Sequence, residues 1–339
     1  MQRGHARRGV VWALFILLAA MAVAVPWRAQ ALQESPTPGT DALPRGVTWL
    51  LEQQAENGGF AGLSGEPDAG VTADAVIALV AARNAGVAID GGALDRAVAF
   101  LEENALVYTQ TGPGQAAKLA LAAVAVGRNP RDFATVNPLS IIETSARRGQ
   151  IGFSLYDHAL GLLALSAAGA TVPPNALQPL QSTQLEDGSW SFDGSTDEGA
   201  GDTNTTAIVV QALAAIGMGD DPMVEKAIEY LRSAQAEEGG FPYQPGGAPD
   251  ANSTALAVQA IIAVGDNPAS EDWRNAAAAL ANFQNESGAF RFQHEMPDDN
   301  LLSTLQALPA LAGQAFPVVA GGSASDGTGA VGATPVGGP

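Results

Sequence analysis

The sequence predicts an all-α domain of six helical hairpins in two concentric layers, and three observations carry that reading. A turn of the form Gln-x3-Gly-x-aromatic occurs four times: Gln54, Gly58 and Phe60; Gln184, Gly188 and Trp190; Gln235, Gly239 and Phe241; Gln284, Gly288 and Phe290. The segment DTNTTAIVVQALAAIG from Asp202 aligns without a gap with DANSTALAVQAIIAVG from Asp250, 48 positions on. Charged segments alternate with bland ones built of small and apolar residues. Self-similarity at such a period marks a repeat architecture whose units bury one another.

The N-terminus reads differently from the repeats. Residues 1–9 carry Arg3, Arg7 and Arg8 without an acid, residues 10–25 are all apolar, and Ala29-Gln30-Ala31 is a small-x-small site. This is the three-part pattern of a secretory signal peptide, residues 1–31. The protein is expected to be secreted or on the cell-envelope exterior, with no membrane span in the mature chain. The alternative is an uncleaved N-terminal anchor, because 16 apolar residues fall just short of a span.

A Pro-containing linker, residues 32–44, leads to the repeat domain, residues 45–313. Its first unit is expected to place a helix near Trp49 to Gln54, the turn at Gly58 to Phe60, and a second helix from near Thr72. The second and third units keep paired helices, but their turns, QTGPGQ and RRGQIGF, are degenerate. The last three units end at Gly217, Gly265 and Gly313, 48 residues apart. Asp202 and Asp250 stand where an N-cap carboxylate accepts from free backbone N–H groups, and the closing glycines stand at C′. Asn129-Pro130, Asn137-Pro138, Asp221-Pro222 and Asn267-Pro268 read as N-cap followed by proline at the first helical position. The bland helices are assigned to the inner layer and longer, charged ones to the outer layer. Residues 314–339, rich in Gly, Ala, Ser and Pro, cannot bury a core and are expected to be a disordered tail.

Composition excludes several function classes. The whole chain carries a net charge of −19, and loss of residues 1–31, with four arginines and no acids, makes it −23. Such a surface repels phosphate backbones, so nucleic acid is not an expected partner. With no cysteine, there is no disulfide, thiolate zinc site or cysteine nucleophile.

The four turns resemble the QW-type repeat of the terpenoid cyclase and protein prenyltransferase α/α-toroid superfamily, and DANSTALAVQAIIAVG resembles inner helices of the cobalamin carriers that share this toroid. The resemblance covers about residues 45–313 and implies a closed α/α toroid of six hairpins with a central funnel. It also implies motifs against which the chain can be read. A squalene-type cyclase would carry Asp-x-Asp-Asp, a class I terpene synthase Asp-Asp-x-x-Asp, and a prenyltransferase a zinc-binding cysteine. None of these is present: Asp197-Glu198 and Asp298-Asp299 lack the patterns.

The preferred reading is therefore a non-catalytic binding protein whose funnel holds a bulky ligand, a corrinoid or a polyprenoid. No motif requires a cofactor, and a corrinoid is the one the resemblance admits. The alternatives are an enzyme of the cyclase or prenyltransferase type, and a scaffold that binds a partner protein. The first aromatic after each turn glycine is expected to wedge neighbouring hairpins together. The second, Phe192, Tyr243 and Phe292, would rim a ligand site with Asp202, Asn204, Asp250 and Asn252. His158 and His294 are candidate metal or cobalt ligands. Asp187, Asp193, Asp197, Glu198 and Asp202 form a candidate calcium loop, although their spacing is not that of an EF-hand.

Overall fold

The structure, a computed structural model, describes residues 41–322; the expected signal peptide, most of the linker and residues 323–339 lie outside them. Among the described residues six helical hairpins follow one another. Their outer helices are α1 (Ala42–Glu52), α3 (Gly91–Gln110), α5 (Pro138–Ala146), α7 (Gln178–Thr183), α9 (Pro222–Ala234) and α11 (Ala276–Ala281). Their inner helices are α2 (Ala69–Asn84), α4 (Pro113–Ala125), α6 (Leu155–Ala167), α8 (Thr203–Ala215), α10 (Ala251–Ala263) and α12 (Leu301–Leu311). The inner helices touch in a closed cycle, α2 to α4, α6, α8, α10 and α12, and α12 returns to α2. This is the six-hairpin α/α toroid.

Composition sorts the layers. An inner helix is buried almost all round: in α8 every residue from Thr205 to Leu213 is buried, and small side chains let its neighbours approach on both flanks. An outer helix buries one stripe, as α9 does with Val224, Ala227, Leu231 and Ala234 at helical spacing. The outer helices are not uniformly longer, however: α7 and α11 have 6 residues each, against 13 in α8 and α10.

Two of the four cap-proline pairs begin helices, Asn137-Pro138 and Asp221-Pro222. The other two make turns. The Asn129 side chain accepts from the N–H of Arg131 and that of Asn267 from Ala269, two residues on, which is the Asx-turn geometry open to the same side chain. Helix α11 consequently starts later, at a cap supplied by Asn275.

The repeated turn is a clamp between hairpins. The side-chain amide of each glutamine donates to its own turn glycine, at the carbonyls of Gly58, Gly188, Gly239 and Gly288. It also donates to a carbonyl near the start of the next outer helix: Ala93, Met223, Trp273 and Ala42, at 2.7 to 2.8 Å. The four glycines have φ between 89° and 99° and lie against the backbone of Arg96, Lys226, Arg274 and Arg45, where a Cβ has no room. The aromatic that follows is fully buried, and its N–H donates to a threonine hydroxyl on the inner helix: Phe60 to Thr72, Trp190 to Thr206, Phe241 to Thr254, Phe290 to Thr304.

The sixth turn takes the first hairpin as its next neighbour, which closes the ring. Gln284 reaches Ala42, and Arg45 returns hydrogen bonds to the carbonyls of Asn285 and Glu286. Gln284→Ala is expected to cost about 2 kcal/mol in urea unfolding, because two carbonyls lose their donors. Gln53→Ala, whose amide meets only the Trp49 carbonyl at an exposed site, is the control; equal effects would show that the clamp does not hold the ring closed.

Both ends of the domain differ from the expected boundaries. Helix α1 begins at Ala42, inside the expected linker, since Pro44 falls in its first turn, where a missing N–H costs nothing. At the other end, residues 314–322 of the expected tail are packed. Gln314 donates to the Ala81 carbonyl, Phe316 N–H donates to Gln211 Oε1, and Asn84 Nδ2 donates to the Val319 carbonyl. They lie across the C-terminal ends of the inner helices and close that end of the ring.

Candidate ligand-binding site

The opposite end, where the inner helices begin, is the mouth, and every outer-to-inner connection lies there. The turns stitch it together. Backbone N–H groups of Asp202, Asp250 and Asn300 donate to the carbonyls of Trp190, Phe241 and Phe290. Two residues further, the carbonyls of Phe192, Tyr243 and Phe292 accept from Leu155, Thr203 and Ala251, the first residues of the preceding inner helices, at 2.9 Å each. The second aromatic of each pair is thereby fixed over a helix start.

A recess of about 200 Å³ opens at the mouth, lined by Tyr156, Phe192, Asp202, Asn204, Thr205, Tyr243, Leu256 and Gln306. Asp202 is 1% exposed; its Oδ1 accepts the Thr205 N–H at 2.7 Å as the cap of α8, and its Oδ2 has no hydrogen bond. Asn204 Oδ1 and Gln306 Oε1 are also buried and unpartnered. Burial raises the Asp202 carboxyl above its ordinary value, opposed by the hydrogen bond from Thr205. The Thr205 and Tyr243 side chains also favour the charged form, although neither reaches Oδ2 with hydrogen-bond geometry.

The recess brings together Phe192, Asp202, Asn204 and Tyr243 from the expected site, and leaves the others out. Both Asp250 oxygens accept from Ser253, one from its N–H and one from its hydroxyl, at 2.8 Å, so this buried carboxyl with its raised pKa is a cap. Asn252 Oδ1 accepts the Ser303 hydroxyl at 2.7 Å. Phe292 is half-buried beside the start of α10, and His294 is exposed and stacked on Phe283 with ring centroids 4.6 Å apart. His158 cannot serve as a metal ligand. It is fully buried, with Nδ1 accepting from Ile151 N–H at 3.0 Å and Nε2 donating to the Ala176 carbonyl at 2.7 Å. The carboxylates of the 187–202 loop do not converge either: Asp187 accepts from Ser189, Asp193 from Ser191 and Ser195, and no metal-sized cluster exists among the described residues.

Sequence reasoning missed Tyr156, Leu256 and Gln306. All three follow from the register of the caps. Counting from each inner-helix cap, the second residue gives Tyr156 and Asn204, and the sixth gives Asp74, Lys118, Leu160, Leu256 and Gln306. That sixth layer lines a narrower cavity of about 50 Å³ below the recess, crossed by an Asp74–Lys118 ion pair at 2.8 Å and bounded below by Phe316. Asp202 is a buried acid, but the space in front of it is smaller than the roughly 300–1,000 Å³ of sites that enclose drug-sized ligands.

The mouth also gathers apolar surface. Leu63, Leu106, Val107, Phe153, Phe192, Tyr243, Met296 and Leu302 are exposed there, at least one from each hairpin, and Val319 is the exposed large apolar residue of the other end among the described residues. No described helix is long and apolar enough to cross a membrane.

Comparison with known proteins agrees with this architecture. Residues 174–284 match the squalene-hopene cyclase N-terminal domain family, and residues 12–127 match the prenyltransferase alpha-alpha toroid domain family. No curated protein matches the chain. Similar solved structures include the type II terpene cyclase MstE from Scytonema, at 16% identity, 80% of this chain, 97% of that chain and a TM-score of 0.58. The GH76A alpha-1,6-mannanase from Salegentibacter is 14% identical over 81% of this chain and 99% of that one, with a TM-score of 0.58. Haptocorrin in complex with Cbi is 15% identical over 84% and 69%, with a TM-score of 0.55. At these identities the structural likeness speaks for the fold alone, and its hosts differ in activity. Together with the clamped repeat and the closed ring, the two family matches show that the chain belongs to the terpenoid cyclase/prenyltransferase α/α-toroid superfamily.

Proposed function

We propose that the protein is an exported, non-catalytic binding protein that takes a bulky ligand across the mouth of its ring. The observation that carries this reading is the collection of exposed apolar side chains, from all six hairpins, around one end of the molecule. Exposed apolar side chains scattered singly need no explanation, whereas here they share one end of the ring and two of them, Phe192 and Tyr243, line its recess, which supports an interaction site. The ligand lies over the rim and inserts one group, because the recess holds only about 200 Å³. A corrinoid or a polyprenoid would meet the mouth in this way. Relatives in fold take ligands of both kinds: MstE is known with geranylgeranyl dihydroxybenzoate as substrate and haptocorrin with Cbi. Export rests on the N-terminal signal pattern.

The test is native mass spectrometry of residues 32–339 after exposure to a lipid and corrinoid extract of the host. A retained mass is expected, and it should fall at least about tenfold in occupancy when Phe192 and Tyr243 are both changed to Ser, since each aromatic anchor contributes on the order of 1–2 kcal/mol. A clean apo mass from a chain with helical circular dichroism would overturn the reading and favour a protein scaffold.

A further inference from the structure

The recess in front of Asp202 has a chemistry narrower than the apolar rim around it. Asp202 is almost wholly buried, its Oδ2 accepts no hydrogen bond, and Asn204 Oδ1 and Gln306 Oε1 are buried and unpartnered in the same recess. Buried acceptors without donors are uncommon in native proteins, because each carries the full cost of desolvation. Here three of them line one recess, and all three are oxygens. The other two glutamines on the axis-facing side of the inner helices are occupied: Gln211 accepts from Phe316 N–H, and Gln259 donates to the Gln314 carbonyl. Gln306 Oε1 has no such partner. The lining includes one carboxylate and no basic side chain, while Tyr156, Phe192 and Tyr243 supply aromatic faces. The nearest cation of the lumen, Lys118, is held by Asp74 in the narrower cavity below.

We propose that this recess binds a primary ammonium group, with its three N–H donors directed to Asp202 Oδ2, Asn204 Oδ1 and Gln306 Oε1. An ammonium has three donors and no acceptor, so it can satisfy the three unpartnered oxygens at once, although the hydroxyls of Tyr156, Thr205 and Tyr243 line the same recess. The carboxylate supplies the counter-charge, and the aromatic walls add cation–π attraction. The volume, equal to about six or seven liquid waters, suits an alkylammonium head with a few methylenes. The inference rests on the mouth being a ligand site and concerns the recess alone, since a polyprenoid across the rim has no amine to place in it. The ammonium belongs either to a free alkylamine or to a lysine side chain of a partner, and the chemistry inside the recess is the same.

Calorimetric titration of residues 32–339 with n-butylammonium tests it. Saturable binding is expected, weakened at least about tenfold in Asp202→Asn, which keeps the cap of α8 but removes the charge, and weakened also in Gln306→Met. Asp221→Asn, a cap on the outer layer with the same change in net charge, should bind as the parent does. Tetramethylammonium, which has no donors, and n-butanol, which has no charge, should bind more weakly than n-butylammonium. A blocked lysine amide that binds as well as n-butylammonium assigns the site to a partner's side chain; weaker binding assigns it to a free amine. The proposal is overturned if n-butylammonium does not bind, if Asp202→Asn binds it unchanged, or if n-butanol binds equally well. Retention of a bulky extract ligand without n-butylammonium binding would remove this inference and leave the mouth as a site; loss of both would remove both.

Discussion

Trp190→Ala should cost about 4 kcal/mol of stability, while Phe192→Ala, two positions on, should change it by no more than about 0.5 kcal/mol. The two residues form one aromatic pair in the sequence, and the structure separates them. Trp190 is fully buried, and its indole N–H donates to the Leu180 carbonyl at 2.9 Å. Truncation leaves a cavity in the core and a carbonyl without its donor. Phe192 is 54% exposed, and its backbone carbonyl, which caps Leu155, survives the substitution. Trp190→Phe refines the prediction: it restores most of the apolar volume but not the N–H, so about 1–2 kcal/mol should remain lost. Urea unfolding of the four proteins checks this. Equal losses in the two alanine variants would mean that Trp190 is not a wedge. With total stabilities of domains in the range of about 5–15 kcal/mol, the Trp190→Ala loss is large enough to show in expression as well.

The clamp was legible because it is local. Gln, Gly and the aromatic of each copy lie within seven residues, and each does its work on its own turn or on the adjacent hairpin. A further repeat was legible and overlooked. Arg45, Arg96, Lys226 and Arg274 occupy one position in successive outer segments, where their backbone carbonyls meet the turn glycines. Three of them return hydrogen bonds to a clamp. The cap-proline pairs were ambiguous for a physical reason, since an Asn side chain satisfies an N–H two residues on in a turn and two or three residues on in a helix. The packing of residues 314–322 could not be read from their composition. It is decided by Asn84, Gln211 and Gln259, polar residues on distant helices whose partners only the closed ring supplies.

The site was half legible. Asp202 and Asn204 were visible as the start of a helix, and Phe192 and Tyr243 as aromatics too irregular for a structural role. Asp202 and Asp250 could not be told apart by spacing, because both cap an inner helix. Their difference is geometric: the Ser253 hydroxyl donates to the second oxygen of Asp250 at 2.8 Å, whereas Oδ2 of Asp202 has no donor at hydrogen-bond distance and the Thr205 and Tyr243 side chains only favour its charged form from further off. That difference leaves Asp202 Oδ2 unpartnered behind the recess. Tyr156 and Gln306 needed the register of all six inner helices, which the degenerate turns of the second and third units concealed.

The second large effect is a dependence of stability on pH. His158 sits between α6 and the segment before α7, with both ring nitrogens hydrogen-bonded, and burial pushes its pKa down to about 4. In the unfolded chain it titrates near 6.5. Above pH 6.5 it is neutral in both states and its contribution is fully present. Below that, the unfolded state takes up a proton that the folded state refuses, so stability is lost as pH falls through 6.5 toward 4. The shift corresponds to about 3 kcal/mol over that window. Asp202 and Asp250 act in the opposite sense: burial raises both, so protonation at low pH relieves a cost and offsets part of the loss as pH falls through their folded values. The expected result is a decline of urea-unfolding free energy by about 2–3 kcal/mol between pH 7 and pH 4.5. It should shrink below about 1 kcal/mol in His158→Gln, which keeps a donor for the Ala176 carbonyl and lacks a titratable group. A parent protein as stable at pH 4.5 as at pH 7, or a variant with the same decline, would show that His158 is not held neutral by the fold. The outcome bears on the ring as a whole, because this histidine fastens the third hairpin, whose turn lacks the glutamine clamp, to the fourth.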